Sequence, residues 1–175
     1  MKTRALMSAL EWLTGAVIMG ALATGCGGSD TSAPASNPRT EVETALDAFA
    51  ADLTANPATP SELPDRIRAY LAPHADFYGS TVALIGDDGK VFASPYVYRQ
   101  GGALVEKDLV TPAYNIDEQG WLAEPRDSKQ AVWTLPYFDA GGGEIWMVTR
   151  SVPLLHDGTV YAVATTDLPI SAPAD

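Results

Sequence analysis

Aromatic rings and carboxylates gather in one stretch of this chain, residues 133–167 (WTLPYFDAGGGEIWMVTRSVPLLHDGTVYAVATTD). The rings offer apolar walls and cation–π faces, and one or two carboxylates can fix the orientation or charge of a bound group. Asp139 and Asp167 are the candidate acids. No arginine is matched to them, so a cationic or neutral polar ligand fits better than an anion. Arg99 and Arg150 are the residues that would overturn this if either points inward. Each candidate also has a purely structural reading. Asp139 precedes Ala140 and three glycines and could turn a hairpin through local hydrogen bonds. Asp167 ends a strand and could cap a turn. Trp133 and Trp146 lie in strand patterns and fit the core better than a pocket.

Catalysis and metal binding find little support. His74 and His156 are the only histidines, one beside Pro73 and the other in an Asp-Gly turn. Neither belongs to a nucleophile or metal motif, and no phosphate-cradling Gly-Lys loop is present. Asp139 and Glu144 could share a cation, but two carboxylates fall short of the roughly 6–8 oxygens that calcium takes. The glycines at 141–143 read as hairpin punctuation. We therefore expect no enzyme, no cofactor and no bound metal.

The acids outnumber the bases, 22 to 11, for a formal net charge of −11. Nucleic acid is disfavoured as a partner, because phosphate binding needs clustered Lys and Arg. Residues 1–25 read as a secretory signal: Lys2 and Arg4 precede a short apolar run that ends in the small residues Ala23, Thr24 and Gly25. Cys26 follows, the single cysteine of the chain. Leu22 to Cys26 resembles a bacterial lipobox, which implies lipidation of Cys26 and a membrane anchor. An ordinary cleaved signal with an incidental cysteine is the other reading. Residues 26–39, rich in Gly, Ser, Pro and Ala, fit a flexible tether. This places residues 40–170 as one domain in the periplasm or at the cell surface, with 171–175 as a tail.

The elements that would hold the acids follow from periodicity. Val42, Leu46, Phe49 and Leu53 recur at helical spacing, predicting a helix over 41–53 capped by Asn37 or Thr40. A second helix is predicted within 61–71, with Ser61 as its cap and Pro64 in its first turn. Residues 80–86 and 90–94 read as a hairpin across Asp87-Asp88-Gly89. Residues 95–128 read as a long irregular excursion with short helical turns, whose Tyr96, Tyr98, Tyr114 and Trp121 argue against disorder. Strands are predicted at 130–135, 144–154 and 159–167. The fold class is α+β, with helices against one face of an antiparallel sheet.

Together, VALIGDDGKVFASP (82–95), QGWLAEP (119–125), WTLPYFD (133–139) and AVATTD (162–167) resemble the Cache family of PAS-like extracytoplasmic sensor domains. The resemblance spans about residues 41–170. It implies a sheet of about five antiparallel strands with N-terminal helices packed on it, and a small-molecule pocket between sheet and excursion. The amino-acid-binding branch carries an arginine, a Trp-Tyr pair two positions on, a later tyrosine and a final aspartate. Those positions read Gln119, Trp121-Leu122, Tyr137 and Asp167 here. Gln119 lacks the fork that clamps an α-carboxylate, which leaves a free amino acid in doubt as the ligand. The expected ligand contacts are Trp121, Tyr137, Asp167, Gln119, Asp139 and Tyr98. Residues 168–175 carry no membrane span or output module, so we expect a sensor that presents its solute to a separate membrane receptor or modulates it. The competing reading is an interaction or structural lipoprotein that keeps the fold without the pocket. A homodimer through the N-terminal helix is a mode known in similar sensors.

Overall fold

The computed structural model describes residues 37–173; the leader, Cys26 and most of the tether lie outside them. The first helix, α1 (Pro38–Ala55), starts where Asn37 accepts the Arg39 amide on its side-chain oxygen at 3.0 Å. Pro38 sits in the first turn, where its lacking N–H costs nothing. The helix thus begins inside the stretch expected to be tether. A short link leads to α2 (Leu63–Leu71), preceded by Glu62 rather than Ser61. The Glu62 carboxylate instead accepts the amide and hydroxyl of Thr59, tightening that link.

Eight strand segments follow: β1 (Gly79–Ile85), β2 (Val91–Ala93), β3 (Pro95–Gln100), β4 (Ala103–Asp108), β5 (Val132–Trp133), β6 (Tyr137–Phe138), β7 (Trp146–His156) and β8 (Thr159–Pro169). They form one sheet in the order β4-β3-β1-β8-β7-β5, with β2 paired to β1 and β6 to β7. All pairings are antiparallel. The expectation of an α+β fold with the N-terminal helices packed on an antiparallel sheet holds, but helices are not confined to one face: a third covers the other. The segments number eight rather than five because the excursion contributes β3 and β4 and because β6 lies beyond the strand predicted at 130–135, which itself shrinks to two residues.

The excursion is the main correction. Residues 95–128 are not irregular: β3 and β4 form a hairpin with Gln100 paired to Ala103. Gly101 and Gly102 both take positive φ, 59° and 84°, as a two-residue hairpin turn requires. Farther on, a 3-10 turn (Ile116–Glu118) leads into α3 (Gly120–Ser128), which tolerates Pro125 in its interior.

The sheet has two dissimilar faces. On one, α1 and α2 bury Val42, Leu46, Leu53, Ile67 and Leu71 against Val82, Val97, Val148, Ala162 and Ala164. On the other, α3 and its approach lay Tyr114, Ile116, Trp121 and Leu122 over Ala83, Tyr96 and Val163. Burying aliphatic surface on the first face supplies a large, non-directional driving force for folding. The second face is where the acids point.

Candidate functional site

Asp167 sits in β8 between Gly79 of β1 and Thr149 of β7. Successive strand residues face opposite sides, so Thr81, Thr149, Thr165 and Asp167 share the α3 side while their apolar neighbours face the helices. All four are buried. Tyr96 from β3, Tyr114, Trp121 from α3, Tyr137 from β6, and Asp139 close over them. The enclosed chamber measures about 10 Å³, close to the room one water needs.

Each carboxylate is held by two donors. The Tyr96 hydroxyl donates to Asp167 Oδ2 at 2.8 Å and the Thr149 hydroxyl to Oδ1 at 2.7 Å. Gly79 makes the first bond attainable: a Cβ there would fall 2.4 Å from Tyr96 Oη. The Tyr114 hydroxyl donates to Asp139 Oδ1 at 2.7 Å, and the Gly143 amide to Oδ2 at 2.6 Å. A Cβ at Gly142 would overlap the Asp139 carboxylate at 2.0 Å. The glycine run therefore does more than punctuate a hairpin: it brings backbone up to a buried acid. Lys107 of β4 fastens this loop from outside by donating to the Gly142 carbonyl.

Charge in this chamber is unbalanced. Asp139 is 5% exposed and Asp167 4%, and neither joins any ion pair among the described residues. Burial pushes the Asp167 carboxyl up to about 7, the nearby Asp139 charge adds to the shift, and the Thr149 and Tyr96 bonds oppose it. Burial likewise raises Asp139, against the Gly143 and Tyr114 hydrogen bonds and the more distant Lys107 charge. The hydroxyls of Tyr96, Tyr114 and Tyr137 are all pushed upward, first by burial and then by these acids. They stay protonated and act as donors. The arrangement can receive a cation or hydrogen-bond donor, and it repels an anion.

Four of the residues singled out from sequence, Trp121, Tyr137, Asp139 and Asp167, meet around this chamber. Two do not. Gln119 donates its side-chain amide to the Tyr114 carbonyl at 2.8 Å and faces an outer cleft. Tyr98 stacks on Tyr96 with centroids 5.1 Å apart, behind the chamber wall, with Lys107 over its ring. Arg99 binds the carbonyls of Leu71, His74 and Phe77, and so caps the C-terminal end of α2. Neither Arg99 nor Arg150 lines the chamber. Trp133 donates to Glu43 and packs on the helix side, while Trp146 meets Phe138 edge-on; both are half-buried. The Glu144 carboxylate accepts the Gly141 amide, so it serves its own loop.

Tyr96, Tyr114, Thr149 and Gly79 went unpredicted as parts of the site. A signal for one of them was present. Thr149 breaks an apolar strand in phase with Thr165 and Asp167 on its neighbour, and such in-phase polar residues on a covered face mark a polar cavity.

A family model for the methyl-accepting chemotaxis protein-like first PDC sensor domain matches residues 63–173. The chain belongs to this family. Among solved structures, the extracellular domain of a protein assigned as a histidine kinase, soHK1S-Z6, is 23% identical with a TM-score of 0.65. The alignment covers 75% of this chain and 53% of that one. The ligand-binding domain of the Campylobacter jejuni chemoreceptor Tlp3, solved with 4-methylisoleucine, is 15% identical with a TM-score of 0.57, covering 75% of this chain and 51% of that one. Its complex with L-valine gives the same TM-score. This PDC chain thus spans about half the length of the sensor structures it matches. Comparison with curated proteins returns no match. No helix among the described residues is long and apolar enough to cross a membrane, which says nothing of β-barrels.

Proposed function

We propose that this PDC domain is an extracytoplasmic sensor module for a small cationic solute, with its ammonium group between Asp139 and Asp167. One observation carries the reading: two buried carboxylates share an aromatic chamber with no side-chain cation paired to either. A buried charge without a partner is expensive, and a bound ammonium would offset that cost while lying against Trp121, Tyr114 and Tyr137. An amino acid's carboxylate would meet the same two acids as repulsion. On this reading Asp139 and Asp167 bind charge, Trp121 and Tyr137 supply the walls, and Gln119 and Tyr98 act from outside. Lipidation at Cys26 would hold the module at a membrane, where it presents its solute to a separate signalling receptor or modulates it.

A second reading has an observation of its own. At about 10 Å³ the chamber is nearly filled, as in a sensor fold turned interaction module, and Leu135 and Phe138 stand exposed nearby. Two buried acids favour the first reading, since a retired pocket gains more from apolar filling.

Thermal-shift titration of the purified chain with small amines, amino acids and carboxylic acids separates the two. Ligand that binds only the folded state raises stability with concentration. Saturable stabilisation by amines and none by carboxylic acids is expected. Stabilisation by no amine would sink the cationic-solute reading and leave the interaction module.

A further inference from the structure

Trp121 and Tyr137 each have two sides. Their inner sides line the 10 Å³ chamber. Their outer sides form the floor of a second cavity of about 340 Å³, walled by Gln119, Glu124, Thr134, Leu135 and Pro136. Organic ligands occupy pockets of roughly 300–1,000 Å³; the outer cavity reaches that size and the chamber does not. Leu135 is 85% exposed at the cleft's rim, although it pairs with no strand and covers no core.

Hydrogen bonds connect the two compartments. Trp121 Nε1 donates to the Tyr114 hydroxyl at 3.0 Å, and that hydroxyl donates to Asp139. Tyr137 and Thr149 hydroxyls lie 2.8 Å apart, and Thr149 donates to Asp167. Since the single Thr149 proton goes to the acid, Tyr137 is the donor in that pair. Each partition ring is therefore the outer end of a relay that begins at one of the two acids. An ammonium arriving at the acids competes with the Tyr114 and Thr149 hydroxyls, the donors on which both rings hang. An ammonium bound inside would therefore loosen the partition and join chamber to cleft.

We propose that the cleft outside Trp121 and Tyr137 is the second half of the ligand site. It receives the apolar tail of an amine whose ammonium lies at Asp139 and Asp167, a placement that rests on the function proposed above. The ligand class is then a primary amine carrying an alkyl or aryl chain. Amino acids and short polar cations fit it less well.

The test is isothermal titration of the full chain carrying Cys26→Ser with methylamine, butylamine and hexylamine. Affinity should climb by roughly two- to fourfold per buried methylene. Leu135→Ser, which removes an exposed apolar wall without adding charge, should flatten that climb. Methylamine binding with no dependence on chain length, or an unaltered slope in Leu135→Ser, would each overturn the cleft assignment and spare the acid site. Failure of every amine, methylamine included, would overturn both.

Discussion

The two faces of this sheet are built from the same strands and solve opposite problems. Against α1 and α2, aliphatic residues interlock with no buried acid among them. Under α3, the same strands present threonines and Asp167 to tyrosines and a second aspartate. The difference follows from period-2 alternation: Val148 and Ala164 face one way, Thr149 and Thr165 the other. One face holds the fold, and the other spends part of that stability to keep charge dry. Stability and recognition should therefore respond to different substitutions.

The helix face should give the largest effect on folding. Leu46 is fully buried there, and Leu46→Ala should lower unfolding free energy by about 2–5 kcal/mol, measured by urea denaturation. Amine affinity of the molecules that remain folded should not change; a parallel loss of affinity would show that the faces are coupled.

Asp167→Asn exchanges the pattern. Losing one partner of a desolvated charge pair should weaken amine binding by roughly 30-fold or more, with near-isosteric packing retained. Its effect on folding depends on pH, and the sign is fixed by the raised carboxyl. Asp167 titrates near 7 in the folded protein against 3.8 ordinarily, so the folded state binds the proton more tightly. Its contribution to stability is fullest below the ordinary value and is lost as pH rises toward 7. Stability curves of wild type and Asp167→Asn should diverge across that window, with the wild type falling more steeply. Parallel curves would mean that Asp167 is not held in a dry site.

Much of the helix face was legible in the sequence, because Val42, Leu46, Phe49 and Leu53 announce a helix by spacing alone. The long β7–β8 hairpin was legible for the same kind of reason: two β-branched runs meet at Asp157-Gly158, where both residues take positive φ. The polar face was less readable. Tyr96 looked like part of an irregular excursion because Pro95 and the Gly101-Gly102 pair read as loop signals, whereas they start and turn a hairpin. Gln119 was expected at the site only through resemblance, and its side-chain amide donates instead to the Tyr114 carbonyl, away from the acids. Distances between residues far apart in sequence, such as Tyr96 and Asp167, 71 residues apart, are set by sheet order, which no local pattern encodes.

Whether a cation binds beside the buried Asp139 and Asp167 carboxyls is decided by titrating methylamine calorimetrically at pH 6 in two buffers of different ionisation enthalpy. An ammonium beside Asp167 favours its ionised form, so binding at pH 6 should release protons and the heats should differ between buffers accordingly. That difference should vanish above about pH 8, where the carboxyl is already ionised. Buffer-independent heats at pH 6, or proton uptake, would contradict cation binding there.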